Sequence, residues 1–321
     1  MSKPLLLSPQ TIPLAKSILK VETDEEACEP HNVRIFFDHM SAMTIAPEVE
    51  KQDMEINANG YKIHISVLRP IGSKDTVLPV ILFIHGGGWI FGSYTTHRVL
   101  TNNLVNLMPA CIVFVHYSLS PEVKYPTALE ECYATLCWVQ QNAASIHVDP
   151  HRLVVMGDSA GGNLSTSLTI LAKQRGNKGI SYQVLYYPAL DINFESESYI
   201  QNQHNSFLPR STMLVVWDAY LNHANERHVA TAVPMSSPKE VLEGLPPALI
   251  ITAEADVLRT EGELYANKLT EAGVETMCVR YLGVRHGFLS APQLRSQAHA
   301  AIAQTIDVLK KHWKEESTSR L

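Results

Sequence analysis

The sequence predicts an α/β fold in which a mostly parallel central sheet is covered by helices on both faces. Two observations lead to this prediction: β-like runs rich in Val, Ile, Leu and Tyr alternate with segments of helical spacing, and the apolar content is high. Of the 321 residues, 45% are hydrophobic and 18% are charged, which excludes a wholly disordered chain. Strand–helix alternation is typical of parallel sheets, because their crossover helices cover the sheet faces.

The predicted strands lie at residues 61–69, 76–85, 111–119, 152–159, 182–190, 247–255 and 275–282. Helical patterns lie between most of them, at residues 95–108, 127–142, 162–174, 258–272 and 293–312. Residues 1–45 look helical, and residues 191–235 interrupt the alternation with a polar stretch followed by the amphipathic STMLVVWDAYLNHA. A long insertion inside a compact domain usually has a function, so we expect residues 191–235 to form a lid over a site.

Charge and cysteine content limit the partners and the compartment. The net charge is −6 with both signs interspersed, which argues against a nucleic-acid surface. The five cysteines form no C-x-x-C pair, so we expect reduced, buried thiols in an intracellular protein. The N-terminal apolar run is too short for a signal peptide, and no run approaches the ~18 residues that span a bilayer.

The stretch GDSAGG, residues 157–162, follows a predicted strand and begins a predicted helix. This is G-x-S-x-G in the strand–turn–helix context of a nucleophile elbow, where Gly157 and Gly161 avoid collisions around a sharply turned Ser159. The helix N-terminus would also favour negative charge developing near the serine. The alternative is a glycine-rich turn in which Ser159 only caps the helix; a P-loop lysine and G-x-G-x-x-G are both absent.

The stretch HGGGW, residues 85–89, places three glycines directly after a buried apolar run. A serine that attacks an acyl carbon creates an oxyanion, which needs convergent N–H donors, and bare glycine lets the backbone approach the substrate. We expect Gly87, Gly88 and Ala160 to supply these donors, with Gly86 a weaker candidate. His85 is expected to fix the loop rather than to catalyse.

A base and an acid should follow the serine in the chain order Ser, acid, His. His286, in LGVRHGFLS, follows a late strand and can reach over the carboxyl edge of the sheet. Asp256 lies where the preceding strand gives way to a helix, and Glu254, still within that strand, is the runner-up. The alternative role for Asp256 is ordinary helix capping. We expect His97 and several other histidines to lie at the surface.

Five segments together resemble the hormone-sensitive-lipase-like family of α/β-hydrolase esterases: HGGGW, GDSAGG, YSLSPEVKYPTALEE, LPPALIITAEADVLRTEGELYA and RHGF. The resemblance extends from about residue 60 to residue 312. It implies an α/β-hydrolase fold with a helical cap and a catalytic triad of Ser159, Asp256 and His286. The chain departs from the family pattern at Val257, usually proline, and at Ser118, usually arginine; neither is a triad position.

The resemblance also implies a domain organisation. The family's cap is built from an N-terminal helical segment and an insertion, so we expect residues 1–45 to join residues 191–235 in the cap. The α/β-hydrolase core then consists of residues 46–190 and 236–321.

The expected activity is hydrolysis of short-to-medium acyl esters through a Ser-His-Asp triad and an acyl-enzyme, with no metal or organic cofactor. A small ester is the expected partner, and a homodimer is allowed. The alternatives are a thioesterase, lactonase or acyltransferase with the same triad, or a non-catalytic small-molecule receptor, because fold does not determine function. Five apolar residues are candidates for the substrate pocket, with core packing as the competing role: Trp89, Phe91, Phe207, Trp217 and Leu258.

The last three residues, Ser319, Arg320 and Leu321, resemble the S-K-L peroxisomal address. We therefore expect a cytoplasmic protein, or a peroxisomal one if its source is eukaryotic.

Overall fold

Eight strands form one sheet in the computed structural model, which describes residues 5–205, 207–290 and 295–319. The strands are β1 (Glu50–Ala58), β2 (Tyr61–Arg69), β3 (Leu78–Ile84), β4 (Cys111–His116), β5 (Val148–Asp158), β6 (Tyr182–Tyr186), β7 (Ala248–Ala255) and β8 (Thr276–Arg285). Their order is β1-β2-β4-β3-β5-β6-β7-β8. Only β1–β2 and β2–β4 pair antiparallel, which confirms the predicted mostly parallel sheet.

The helices of the described residues begin with α1 (Ile12–Leu19), α2 (Asp24–Ala27) and α3 (Pro30–Ala42). They continue with α4 (Tyr94–Leu107), α5 (Thr127–Asn142), α6 (Ala160–Gln174), α7 (Glu197–Gln201), α8 (Arg210–Tyr220), α9 (Lys239–Leu242), α10 (Arg259–Glu271) and α11 (Ser296–Ser319). Two short 3-10 turns lie at Ala224–His228 and Pro234–Ser236.

The central strand β3 shows how the sheet is buried on both faces. All seven of its residues are buried, as expected for a parallel strand covered on two sides. Val80, Leu82 and Ile84 pack in the apolar cluster that contains residues of α5 and α6. Ile81 and Phe83 pack in the cluster on the other face, with residues of α4 and α11. This alternation follows from the two-residue period of a strand.

Strand β1 was not predicted, because its sequence EKQDMEINA is mostly polar and, of its nine residues, only Ile56 is buried. It lies at the edge of the sheet and pairs with β2 across a turn at Asn59 and Gly60, both with positive φ. An Asn-Gly pair is a strong hairpin signal, so this turn was the available evidence for the strand.

The predicted strands at 111–119 and 182–190 extended too far, since β4 and β6 end at His116 and Tyr186. After β4, the amide of Ser118 donates to the Glu131 carboxylate at 2.6 Å instead of to a neighbouring strand. After β6, Tyr187 has φ 36, which ends the extended conformation. Both chain segments leave the sheet at its carboxyl edge.

The segments expected to form a cap each contain helices. Helices α1–α3 pack around an apolar cluster of their own, and residues 191–235 contain α7 and α8. Thr212 of α8 contacts the N-terminal segment, with its Oγ1 3.4 Å from the carbonyl oxygen of Leu5. Among the described residues, no helix is both long and apolar enough to cross a membrane.

The cysteines only partly follow the expectation of buried thiols. Cys28, Cys111 and Cys132 are buried, but Cys137 is partly accessible and Cys278, on the outer strand β8, is exposed. Of the C-terminal tripeptide, Arg320 and Leu321 lie outside the described residues.

Candidate active site

Ser159 lies on a sharp turn between β5 and α6, with φ 55 and ψ −119. Its amide donates to the carbonyl oxygen of Tyr186 at 2.9 Å, which holds the turn against β6. A Cβ atom at Gly161 would lie 2.0 Å from the carbonyl oxygen of Ile84, and one at Gly157 would lie 2.3 Å from that of Gly161. The turn therefore requires both glycines.

His286 and Asp256 lie close to this serine in space. His286 follows β8 and Asp256 follows β7, so both are at the carboxyl edge where β5 delivers Ser159. The Nε2 atom of His286 lies 2.9 Å from Ser159 Oγ, and its Nδ1 atom lies 2.7 Å from Asp256 Oδ2. Asp256 is fully buried, and its Oδ1 accepts from the Leu258 amide at 2.9 Å. The runner-up acid, Glu254, is exposed and instead accepts from the Gly283 amide.

A carboxylate at Nδ1 has a chemical consequence for the imidazole ring. It favours the tautomer that carries its proton on Nδ1, because only that nitrogen can then donate to the carboxylate. Nε2 is left free to accept a proton from the serine hydroxyl. The ring of Tyr187 contacts His286 edge to face, with 4.8 Å between centroids, and further restricts the ring.

The segment from His85 to Phe91, here called the glycine loop, has main-chain amides that differ in whether they already donate a hydrogen bond. The Gly86 amide is occupied, since it donates to Asp158 Oδ1 at 3.0 Å. Within the described ranges, the Gly87 and Gly88 amides donate to no acceptor. A Cβ atom at Gly87 would lie 2.0 Å from the Phe91 carbonyl oxygen, so the loop conformation requires glycine there. Ala160 begins α6, where the amide has no intrahelical acceptor.

The His85 side chain lies beneath this loop. Its Nδ1 is 2.7 Å from the Gly86 carbonyl oxygen, and its ring stacks on Tyr117 at 4.3 Å between centroids. The Tyr117 hydroxyl donates to the His85 carbonyl oxygen at 2.8 Å. Burial, together with the charge of nearby His97, lowers the pKa of His85 to about 3. His85 is therefore an uncharged side chain that holds the loop.

The prediction that His97 lies at the surface was wrong. It is 5% exposed, and its Nε2 lies 3.2 Å from Oδ1 and 3.3 Å from Oδ2 of Asp158. Ser93 and Thr96 form a capping box at the start of α4, and His97 lies on the buried face of the first turn. The sequence signal that could have found the pair is the acidic residue inside GDSAGG, which needs a partner once the motif is buried.

Two of the predicted pocket residues, Trp89 and Trp217, pack together between the glycine loop and α8. Their ring centroids are 4.6 Å apart, and Tyr220 stacks on Trp89 at 4.3 Å. Trp89 is 1% exposed and Trp217 is 2% exposed. Phe91, at the end of the same loop, stacks on Phe37 of α3.

The other two candidates lie beside His286 and Asp256. Phe207 would touch a Cβ atom at Gly287 at 3.1 Å, and the Arg285 guanidinium lies 4.8 Å from its ring centroid. Leu258 is fully buried and binds Asp256 through its amide. A substrate-binding role for these five residues stays a prediction.

Comparisons with known proteins place this geometry in a family. A family model described as the α/β hydrolase fold matches residues 81–290. An arylesterase of Saccharolobus solfataricus is 33% identical over 267 residues, covering 82% of this chain and 85% of its own. Carboxylesterase NlhH of Mycobacterium tuberculosis is 32% identical over 269 residues, covering 83% of this chain and 84% of its own. The chain belongs to the hormone-sensitive-lipase-like family of α/β hydrolases.

Solved structures of esterases resemble this chain as well. A structure from an analysis of two fungal esterases of Rhizomucor miehei matches this hydrolase with a TM-score of 0.88 and 42% sequence identity, covering 97% of this chain and 98% of that one. The predicted family and fold are thereby confirmed, as is the predicted enzyme class. The protein is a carboxylesterase-type hydrolase.

Proposed function

We propose that this hydrolase cleaves short-to-medium acyl esters with Ser159 as nucleophile, His286 as base and Asp256 as the acid that orients the base. One observation carries the proposal: a continuous chain of contacts runs from Ser159 Oγ to His286 Nε2 at 2.9 Å and from His286 Nδ1 to Asp256 Oδ2 at 2.7 Å. Such a chain lets the imidazole remove the serine proton as the hydroxyl oxygen attacks.

The reaction follows from this arrangement in two balanced halves. Ser159 Oγ bonds to the ester carbonyl carbon while its proton moves to His286 Nε2, and Asp256 stabilises the resulting imidazolium. The imidazolium then protonates the alcohol oxygen as the C–O bond breaks, which leaves an acyl-serine. Water attacks the acyl carbon after giving a proton to His286, and that proton returns to Ser159 as the carboxylic acid is released.

The negative charge on the tetrahedral carbonyl oxygen requires N–H donors. We assign this role to the amides of Gly87, Gly88 and Ala160. The engaged amide of Gly86 supports this choice, because a donor already bonded to Asp158 is not available to a substrate. Loss of one such donor typically costs a factor of about 10²–10³ in rate.

We propose that residues 1–45 and 191–235 form the cap of a core made of residues 46–190 and 236–321. Contacts of α8 support this division, since Val216 and Trp217 cover the glycine loop. A Cβ atom at Gly88 would lie 2.8 Å from Val216 Cγ1, and Trp217 packs on Trp89. These buried side chains fill space beside the loop, which supports a preference for short-to-medium acyl groups.

The test compares wild-type enzyme with the Ser159→Ala variant on a series of 4-nitrophenyl esters, with acyl-CoA thioesters and lactones alongside. We expect the variant to lose activity by roughly 10⁴-fold or more. Among substrates, we expect acetyl to hexanoyl esters to be preferred over dodecanoyl and longer esters.

The matched control is Ser167→Ala, which removes another buried hydroxyl from α6. It should keep wild-type activity and react with a serine-directed fluorophosphonate, whereas Ser159→Ala should not. Undiminished ester hydrolysis by Ser159→Ala would disprove the mechanism, and a preference for thioesters or lactones would disprove the substrate class.

A further inference from the structure

The proposed mechanism leaves one buried ion pair without a role. His97 and Asp158 are 5% and 4% exposed, and their closest side-chain atoms are 3.2 Å apart. Asp158 directly precedes Ser159 in the chain, and its Oδ1 accepts from the Gly86 amide. The pair therefore connects the serine turn to the glycine loop.

Both ring nitrogens of His97 contact polar groups. Nε2 faces the Asp158 carboxylate, which can only accept. Nδ1 faces the Ser93 carbonyl oxygen at 3.2 Å and the Thr96 hydroxyl at 2.7 Å, and that hydroxyl donates its own proton to the Ser93 carbonyl at 2.9 Å. Nε2 must therefore carry a proton, and a second proton on Nδ1, donated to the Ser93 carbonyl oxygen, makes the ring an imidazolium. The carboxylates of Asp158 and Asp38 favour this charged form.

Asp158 fixes the glycine loop at close range. A Cβ atom at Gly86 would lie 2.7 Å from both the carbonyl oxygen and Oδ2 of Asp158, so the two backbones are in direct contact. Since Gly87 and Gly88 follow Gly86 without an intervening residue, the direction of their amides depends on this contact.

We propose that His97 and Asp158 form a positioning pair for the oxyanion-binding loop. Asp158 holds Gly86 and thereby aims the amides of Gly87 and Gly88, and charged His97 cancels the negative charge of Asp158 beside the reacting carbonyl. This inference rests on the function proposed above. If His97 loses its proton, an uncompensated carboxylate next to Ser159 opposes the developing oxyanion, so the rate of the chemical step falls.

The groups that face His97 determine the pH at which this happens. They are Asp158 of β5, His85 of the glycine loop and Asp38 of α3. Burial lowers the pKa of His97, but the two carboxylates outweigh burial and raise it above its usual value of 6.5. Burial likewise raises the pKa of Asp158, but His97 and the Gly86 amide hold it below 3.8. The ion pair is therefore lost as pH rises through the folded pKa of His97, which lies above 6.5.

The experiment measures kcat and KM for a short acyl ester from roughly pH 6 to pH 9 in wild type, His97→Gln and Asp158→Asn. The wild-type kcat should fall in alkali with the same midpoint as the titration of His97, followed by ¹⁵N NMR of its ring. His97→Gln should lower kcat roughly tenfold to a hundredfold, with KM changed by less than about threefold, and should lack the alkaline decrease.

The matched control is His64→Gln, which changes an exposed histidine 3.5 Å from Glu55 on the outer part of the sheet. It should keep the wild-type pH profile. The wild-type NMR titration needs no variant, so the test holds even if a substitution impairs folding. Fluorophosphonate labelling counts the folded, reactive sites in each variant, and kcat is expressed per labelled site.

Two results would overturn the positioning role: a neutral His97 ring at pH 6, or a ring that titrates while wild-type kcat stays constant. Unchanged kcat and pH dependence in His97→Gln would do the same. These outcomes differ from failure of the proposed function, in which Ser159→Ala would remain active and wild-type enzyme would not be labelled.

Discussion

A single methyl group at Gly161 is expected to disrupt the serine turn. The added Cβ would lie 2.0 Å from the Ile84 carbonyl oxygen and 2.5 Å from that of His85, and a main chain inside the sheet cannot move aside. We expect Gly161→Ala to reduce the free energy of unfolding by about 3 kcal/mol or more, as strong overpacking does. Urea denaturation measures this change.

The control is Gly262→Ala, another buried glycine within a helix. Its Cβ would meet the Thr252 side-chain methyl at 3.0 Å rather than main chain, so a small movement of that side chain relieves the contact. We expect the free energy of unfolding to change by no more than about 1 kcal/mol, because alanine also has a higher helix propensity than glycine. Equal losses in the two variants would contradict the steric argument.

Residues within motifs could be predicted because their chemistry appears in neighbouring letters. Ser159 and the three glycines before Trp89 are recognisable from local sequence, and chain order then selects Asp256 and His286. The His97–Asp158 pair could not be predicted in this way. Its two members are separated by 61 positions and meet because α4 packs on the sheet against β2 and β4, which brings its first turn to the end of β5.

At the scale of elements, α3 holds the glycine loop through Arg34. Its Nε donates to the Ile90 carbonyl oxygen at 2.7 Å, and Nη2 donates to that of Ser120 at 2.9 Å, while the guanidinium forms a two-pronged pair with Glu122. Lysine cannot reproduce this fork. We expect Arg34→Lys to lower kcat/KM roughly three- to tenfold, measured on a short acyl ester.

Arg175→Lys is the matched control. Arg175 forms a similar two-pronged pair with Glu130, at 2.7 and 2.9 Å, but it joins the C-terminal end of α6 to α5, at the opposite end of α6 from Ser159. We expect its kcat/KM to stay within about twofold of wild type, as for an exposed ion pair. A similar loss in both variants would show that α3 has no particular influence on the loop.

Elements were predictable where their periodicity was strong. The buried strand β3 and the amphipathic helix α8 follow from apolar patterns, because each has a face that must be covered. The edge strand β1 could not be predicted from such a pattern, because one of its faces contacts solvent and its register depends on a turn. The contacts between Arg34 and the glycine loop are long-range and leave no local pattern.

At the scale of the whole molecule, buried His85 makes the free energy of unfolding depend on pH. The pKa of His85 is lowered to about 3 in the folded protein by burial, whereas the unfolded chain has the usual value of 6.5. Below pH 6.5 the His85 side chain is protonated in the unfolded chain but stays neutral in the folded protein. The free energy of unfolding therefore decreases as pH falls. Between pH 7 and pH 5 this effect lowers the free energy of unfolding by about 2 kcal/mol.

Other buried groups act in the opposite direction over this range. His97 has a raised pKa, and burial raises the pKa of Glu261 well above 4.5, so both favour the folded state as pH falls. Comparison with His85→Phe isolates the contribution of His85, because the variant keeps a ring against Tyr117 but cannot titrate. Urea denaturation at pH 7 and pH 5 should show wild type losing about 2 kcal/mol more than the variant. Parallel losses in the two proteins would mean that His85 is protonated in the folded state or reached by solvent.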